Sequence, residues 1–187
     1  MPIIFKILRV AAEKCSYNGP LWNNIGMCFF SKGKYVAAIS CLKKAIYLCP
    51  LDWKINFNLG LVHYAMQQYA SAYHFFSSAV NLNPRSSIVY MALAVILTSL
   101  NDPINARKAY EKAILLDKNS TPQLYLNFAL FEAKQGNSDK AMEYLKQFEN
   151  MKRKNFILPQ VCHCLKSLLS KNQNCRYSHR LNSAHVV

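Results

Sequence analysis

Along most of the chain, apolar residues recur three and four positions apart with polar residues between them, the spacing of helices that each bury one face. Breakers cut this pattern at even intervals. Counted from Gly19 in steps of about 34 residues, Trp22, Ile25, Gly26, Phe29, Ala38, Leu42, Ala45 and Pro50 take unit positions 4, 7, 8, 11, 20, 24, 27 and 32. A second unit from Trp53 puts Asn56, Leu59, Gly60, His63, Ala72, Phe76, Ala79 and Pro84 at the same positions. A third from Ser87 gives Tyr90, Leu93, Ala94, Leu97, Ala106, Tyr110 and Ala113. A fourth, one residue late, starts at Pro122 and gives Tyr125, Phe128, Ala129, Ala141 and Leu145.

Two antiparallel helices per unit explain why these residue types recur. Small residues at positions 8 and 20 let the two helices approach closely, a small residue at 27 lets the next unit dock, and large residues at 4, 7, 11 and 24 fill the space between. A large side chain in place of Gly26 or Ala38 is expected to overpack that crossing by about 1–3 kcal/mol. The breakers agree: Pro50 and Pro84 close units, Pro20 and Pro122 open them, and Pro103 begins a second helix behind Asn101 and Asp102, which can cap it. Gly33 and Gly136 fall at the turn inside a unit, where a left-handed residue is useful. The expected packing residues are therefore Trp22, Gly26, Ala38, Ala45, Pro50, Gly60, Ala72, Ala79, Pro84, Ala106 and Ala113.

The predicted architecture is all-α, a right-handed superhelix of antiparallel helix pairs. Its expected units span 19–52, 53–86, 87–120 and 122–155. Projected backwards, the register makes 1–18 the second helix of an incomplete repeat, with Leu8 and Ala11 at positions 24 and 27. Lys6 and Arg9 interrupt the apolar start and no small-residue cleavage site follows, so no secretory signal is expected, and the repeat register accounts for this stretch better than an organellar presequence does. At the other end, 156–170 reads as a capping helix with Val161, Leu165, Leu168 and Leu169 on one side. Residues 171–187 are polar, basic and aperiodic, which predicts disorder.

This register is that of the tetratricopeptide repeat (TPR). The runs PLWNNIGMCFF, KYVAAISCLKKA, DWKINFNLGLVH and MQQYASAYHF go further, because they include positions the repeat leaves open. They resemble the later repeats of the Bardet–Biedl syndrome 4 family, TPR subunits of the BBSome, a coat-like complex that moves membrane proteins in and out of primary cilia. The likeness continues more loosely through NARKAYEKAILLDK and LNFALFEAKQG. It implies a non-enzymatic adaptor at the basal body, the centriolar satellites and the cilium. The partners it implies are other BBSome subunits, a satellite protein and dynein-linked transport machinery. That family carries further repeats before this region, and the stretch after about Asn155 is unlike it.

In a TPR array the inner, concave face is lined by first-helix positions, here Asn23, Met27, Phe30 and Ser31, then Phe57, Leu61, Tyr64 and Ala65, then Met91, Val95, Thr98 and Ser99. Such a groove is apolar and aromatic, suited to an amphipathic helix or an extended apolar segment, with Met27 and Met91 as adaptable contacts. The alternative is that these side chains pack against the chain's own neighbouring helices. TPRs that grip a C-terminal carboxylate need Lys and Arg beside Asn, and the corresponding positions hold Asn23, Met27, Asn58, Ile88 and Ala92, so that reading fails for want of charged donors.

Charge and cysteine content change the picture only at the edges. The formal charge is +14, half of it from Lys152, Arg153, Lys154, Lys166, Lys171, Arg176 and Arg180, in a stretch without a carboxylate. Contact with acidic membranes or RNA through that end is the alternative function, against the plainer reading of a solvated tail. Lys32, Lys34, Lys43 and Lys44 read as an exposed rim of the first unit. Seven cysteines, four of them (Cys15, Cys28, Cys41 and Cys49) inside helical patterns, fit small buried thiols in a reducing cytoplasm. Cys162, His163, Cys164, Cys175 and His179 lack usual zinc spacing, and Cys162 and Cys164 would face different sides of a helix. No phosphate-cradling loop or paired carboxylate stands out, and neither a metal nor a cofactor is expected.

Overall fold

The computed structural model describes residue 10, residues 15–118 and residues 121–155, with backbone only from 152 onward. Within them lie eight helices: α1 (Gly19–Phe30), α2 (Tyr35–Leu48), α3 (Trp53–Ala65), α4 (Tyr69–Leu82), α5 (Ser87–Ser99), α6 (Pro103–Leu116), α7 (Pro122–Lys134) and α8 (Ser138–Asn155). They form two compact units, α1 to α6 and α7 with α8. The expected half-repeat before Cys15, the capping helix at 156–170 and the tail, with its zinc candidates, lie outside the described residues.

Helix starts follow local chemistry. The Asn18 side chain accepts from Leu21 N at 3.0 Å and Asp52 Oδ1 from Lys54 N at 2.9 Å, each satisfying one amide that a first turn leaves without a partner. Asp102 caps α6 the same way, accepting from Asn105 N at 3.2 Å and from Asn105 Nδ2 at 2.7 Å. Those two hydrogen bonds hold the Asp102 carboxyl below its ordinary pKa. Asn101, expected beside it as a cap, does something else: it is the left-handed residue of the preceding turn, with φ 58°.

That turn is built the same way in all four helix pairs. Gly33, Gln67, Asn101 and Gly136 sit at unit position 15 with φ of 70°, 59°, 58° and 79°. The next amide reaches back five residues each time: Lys34 N to Phe29 O at 3.0 Å, Gln68 N to His63 O at 2.9 Å, Asp102 N to Leu97 O at 3.0 Å and Asn137 N to Glu132 O at 2.9 Å. This six-to-one bond is the Schellman closure of a helix end. Where position 11 is polar, the side chain bridges the same turn. His63 Nδ1 pairs with Gln68 Oε1 at 2.7 Å, and Glu132 Oε2 accepts from Asn137 Nδ2 at 2.6 Å. Glu132 is fully buried, a carboxylate tolerable there only because it is hydrogen-bonded.

Each turn folds the second helix back onto the first, so α1 packs on α2, α3 on α4, α5 on α6 and α7 on α8. The crossings are tight. A Cβ on Gly26 would lie 2.7 Å from Leu42 Cγ and 3.2 Å from Ala38 O, and one on Gly60 would lie 2.6–3.0 Å from the Phe76 ring. Within α1 to α6, pairs join through α2 against α3 and α4 against α5, and α1 also touches α3. One core cluster joins Ala38, Leu42 and Ala45 of α2 to Ile55, Leu59 and Val62 of α3; another joins Ala72 and Phe76 to Ala92 and Ile96. In α7 and α8, Phe128 stacks on Tyr144 with ring centroids 4.3 Å apart, and Ala141, Leu145 and Phe148 are buried.

Of the expected packing residues, Ala38, Ala45, Ala72, Ala79, Ala106 and Ala113 have no exposed surface and Gly26 and Gly60 are buried. Trp22 is half-buried: its indole Nε1 donates to Ser16 O at 2.8 Å and the Lys44 ammonium lies 3.9 Å over its ring. Pro50 and Pro84 are exposed in the loops after α2 and α4. They act on the path of the chain and not through packing, because a residue that ends a helix lies outside the crossing it delimits.

Two substitutions test this account by thermal or denaturant unfolding. Gly60→Ala should lower stability by about 1–3 kcal/mol, since Phe76 is too enclosed to yield, outweighing the roughly 1 kcal/mol that alanine gains in an open helix. Gln67→Gly should raise stability by about 0.5–1 kcal/mol, because relief of roughly 1–2 kcal/mol of left-handed strain exceeds the extra entropy glycine loses. An unchanged midpoint in both variants would refute the shared crossing and turn.

Candidate functional site

First helices position the candidate residues. On α1 these are Asn23, Met27 and Phe30, on α3 Phe57, Leu61 and Tyr64, and on α5 Met91 and Val95. The structure divides them by what they touch. Phe30 packs on the cluster around Leu42 and Leu59, and its ring lies 5.9 Å from Tyr35. Phe57 and Leu61 pack on the cluster of Phe76 and Ile96, with the Phe57 and Phe76 rings 5.6 Å apart and the Trp53 ring 6.3 Å from Phe57. These three side chains hold one helix pair to the next, as the packing alternative anticipates.

Met27, Met91 and Val95 are half-buried, and Tyr64 keeps 37% of its surface exposed. The Tyr64 ring lies 5.9 Å from Tyr69. Thr98, also on α5, donates to Ala94 O at 2.9 Å and is side-chain bonded to Tyr110 of α6. Burial raises the Tyr110 pKa, with Tyr64 adding to the shift and the Thr98 bond opposing it. An acid whose folded pKa is raised is stabilised in its neutral form. Its contribution is therefore present below the ordinary tyrosine value of about 10 and lost only at higher pH. Ala65 and Ser31 are exposed, and Ser99 is half-buried with its hydroxyl bonded to Val95 O.

The polar centre of this face is a pair. Asn58 Nδ2 on α3 donates to Asn23 Oδ1 on α1 at 2.8 Å. These are the two asparagines at carboxylate-gripping positions, and each is already engaged with the other. The remaining such positions hold Met27, Ile88 and Ala92. What the face offers is an aliphatic and aromatic surface with one polar bridge, chemistry for a protein segment and not for an isolated anion.

Sequence reasoning did not find the outward-facing apolar residues. Val36, Tyr47, Leu51, Ile104 and Leu115 are all more than two-thirds exposed. Their signal is apolar character at unit positions 18, 29 and 33, which the packing register leaves empty. Lys32, Lys34, Lys43 and Lys44 are exposed, as the rim reading expects. Among the described residues no group of His, Cys, Asp and Glu could hold a metal ion, and no helix is long and apolar enough to cross a membrane. Burial raises the Cys41 thiol, so it is not an activated nucleophile.

Comparison with known proteins agrees with this geometry. Residues 20–51, 54–86, 88–120 and 122–155 each match the Tetratricopeptide repeat. The chain is 58% identical over 146 residues to the "BBSome complex member BBS4" of Bos taurus and 55% identical over 150 residues to that of Mus musculus. Those alignments cover 78% and 80% of this chain but 27% and 28% of the relatives, so the chain spans about a quarter of their length. The crystal structure of MamA superposes with a TM-score of 0.69 over 81% of this chain and 88% of MamA, at 22% identity, which speaks for the fold alone. With helix pairs, turns and small-residue crossings in one register, the chain belongs to the tetratricopeptide-repeat family, and over these repeats it is similar to BBS4.

Proposed function

We infer that the chain is a non-enzymatic protein-interaction scaffold of the BBSome type, an adaptor in ciliary membrane-protein trafficking and ciliogenesis. The observation that carries this reading is 58% identity to a BBSome complex member sustained through 146 residues. Conservation of helix packing alone does not need that level, because a TPR crossing accepts many apolar combinations of the right volume; MamA shares the fold at 22% identity. The partners are accordingly BBSome subunits, with centriolar-satellite and dynein-linked proteins beyond them. The place of action is the cytoplasm around the satellites and the basal body.

Residues 19–155 act as four repeats in this reading. Met27, Tyr64, Met91 and Val95 meet the partner, while Phe30, Phe57 and Leu61 hold the first helices in place behind them. The Asn23–Asn58 bridge sets the spacing of α1 and α3 beneath that surface. A long apolar face of half-buried side chains suits a partner segment of several turns, since a few desolvated anchors carry most of the affinity of such contacts. No catalytic step and no cofactor enter this reading.

Affinity capture from ciliated cells tests it, comparing the full chain with one ending at Asn155, where α8 ends, at low and at moderate salt. BBSome subunits should be recovered by both chains at both salts, and Tyr64→Ser together with Met91→Ser should reduce recovery about tenfold. Recovery that disappears with the basic end or with moderate salt would overturn the adaptor reading. It would leave the alternative, a basic module held to acidic membranes or RNA by charge.

A further inference from the structure

The outer side of the first helix pair carries a pattern that the packing does not use. Val36, Ser40, Lys43 and Tyr47 follow one another four, three and four residues apart on α2, so they form one stripe along that helix. All four are exposed, Val36 at 74% and Tyr47 at 85%. Ala38, Leu42 and Ala45, which bind α2 to the core, lie on its opposite side. Exposed Lys34 stands at the N-cap of α2, and Leu51, 80% exposed, follows its C-terminal end.

Charge selects the occupant. Residues 15–101 contain six Lys and Arg side chains and a single carboxylate, Asp52, whose Oδ1 already accepts Lys54 N to cap α3. The stripe therefore presents one cation, Lys43, between apolar ends, in a stretch of chain with almost no acid to answer it. A second copy of this chain, at +14, is repelled from such a face. A membrane would meet the lysines favourably, but interfacial insertion needs a broad continuous apolar face, and here Ser40 and Lys43 divide the apolar ends.

We propose that this stripe of α2 is a docking surface for an acidic amphipathic helix of a partner protein. Val36 and Tyr47 take its apolar side chains, and Lys43 between them takes a carboxylate. The apolar ends are about 16 Å apart along the helix axis, the length of three turns of a helix laid alongside. Tyrosine is suited to such a contact, giving large area with few rotatable bonds. The assignment is independent of the reading above, because the stripe shares no residue with the face of α1, α3 and α5.

The test is fluorescence anisotropy of the full chain with a labelled amphipathic peptide of about 16 residues, Glu on one face and Leu on the other, beside a control with Lys in place of Glu. The Glu peptide should bind and the Lys peptide should not. Lys43→Glu should weaken binding about tenfold at low salt, with a smaller difference at about 150 mM salt. Tyr47→Ser should weaken it about fivefold at both salts, and Leu115→Ser, an exposed position on α6, should change nothing. All three positions are exposed, and circular dichroism checks that each variant stays folded. Equal affinity for the two peptides, insensitivity to the α2 substitutions, or an equal loss in Leu115→Ser would overturn the proposal. So would sedimentation with phosphatidylserine–phosphatidylcholine vesicles that depends on Lys43 while the Glu peptide fails to bind, which would make the surface a membrane contact.

Discussion

The closeness of the two helices in each pair is the constraint on which the rest depends. At Gly26 and Gly60 no room remains for a methyl group, because Leu42 and Phe76 occupy the space one would fill. Such contact gives the large residue at position 24 partners on every side, and interiors packed to this density lose much when a single group is added or removed. Ala94 with Tyr110 and Ala129 with Leu145 keep the same pairing of small with large. With that distance set, the first-helix side chains can divide between the core and the surface as they do.

The turn enforces the crossing from the other end. A left-handed residue at position 15 and an amide reaching back five residues recur in all four pairs, although only two of the four residues are glycine. Gln67 accepts that conformation at a local cost, which the Phe76 and Leu59 packing on either side offsets. The turn also makes position 11 tolerant. His63 and Glu132 replace an apolar residue there because position 16 supplies a polar partner within 2.7 Å. His63 further stacks on Phe75, with centroids 5.2 Å apart and planes 13° from parallel.

Two faces result, with different chemistry. Along α1, α3 and α5 the surface is apolar with one asparagine bridge, and long-range charge contributes little to what it can hold. Along α2 the exposed stripe carries one lysine, Lys43, between apolar ends. On the readings proposed above, association at the first is governed by desolvation and fit, and at the second by apolar contact steered by charge, which sets encounter rate and salt dependence more than residence time. A scaffold of stacked helix pairs can carry both, because each helix spends only one side on the core.

The sequence by itself determined the helix pairs, their starts and the small residues at their crossings. Spacing and breakers are local properties that any chain with this periodicity must express. It also marked Gly33 and Gly136 as turn residues, because glycine announces left-handed backbone. Gln67 carries no such mark, and only the helices on either side force it there. The first-helix face was legible as a set of positions but not as a set of roles. Whether Phe57 or Tyr64 is core or surface depends on packing, which brings Phe76 of the same pair and Ile96 of the next against the first and leaves the second partly in solvent. The bond between Asn23 and Asn58 and the exposure of Val36 and Tyr47 belong to the tertiary structure alone. Contacts between residues far apart in the chain follow from how helices stack, and a residue's own identity does not record who its neighbour will be.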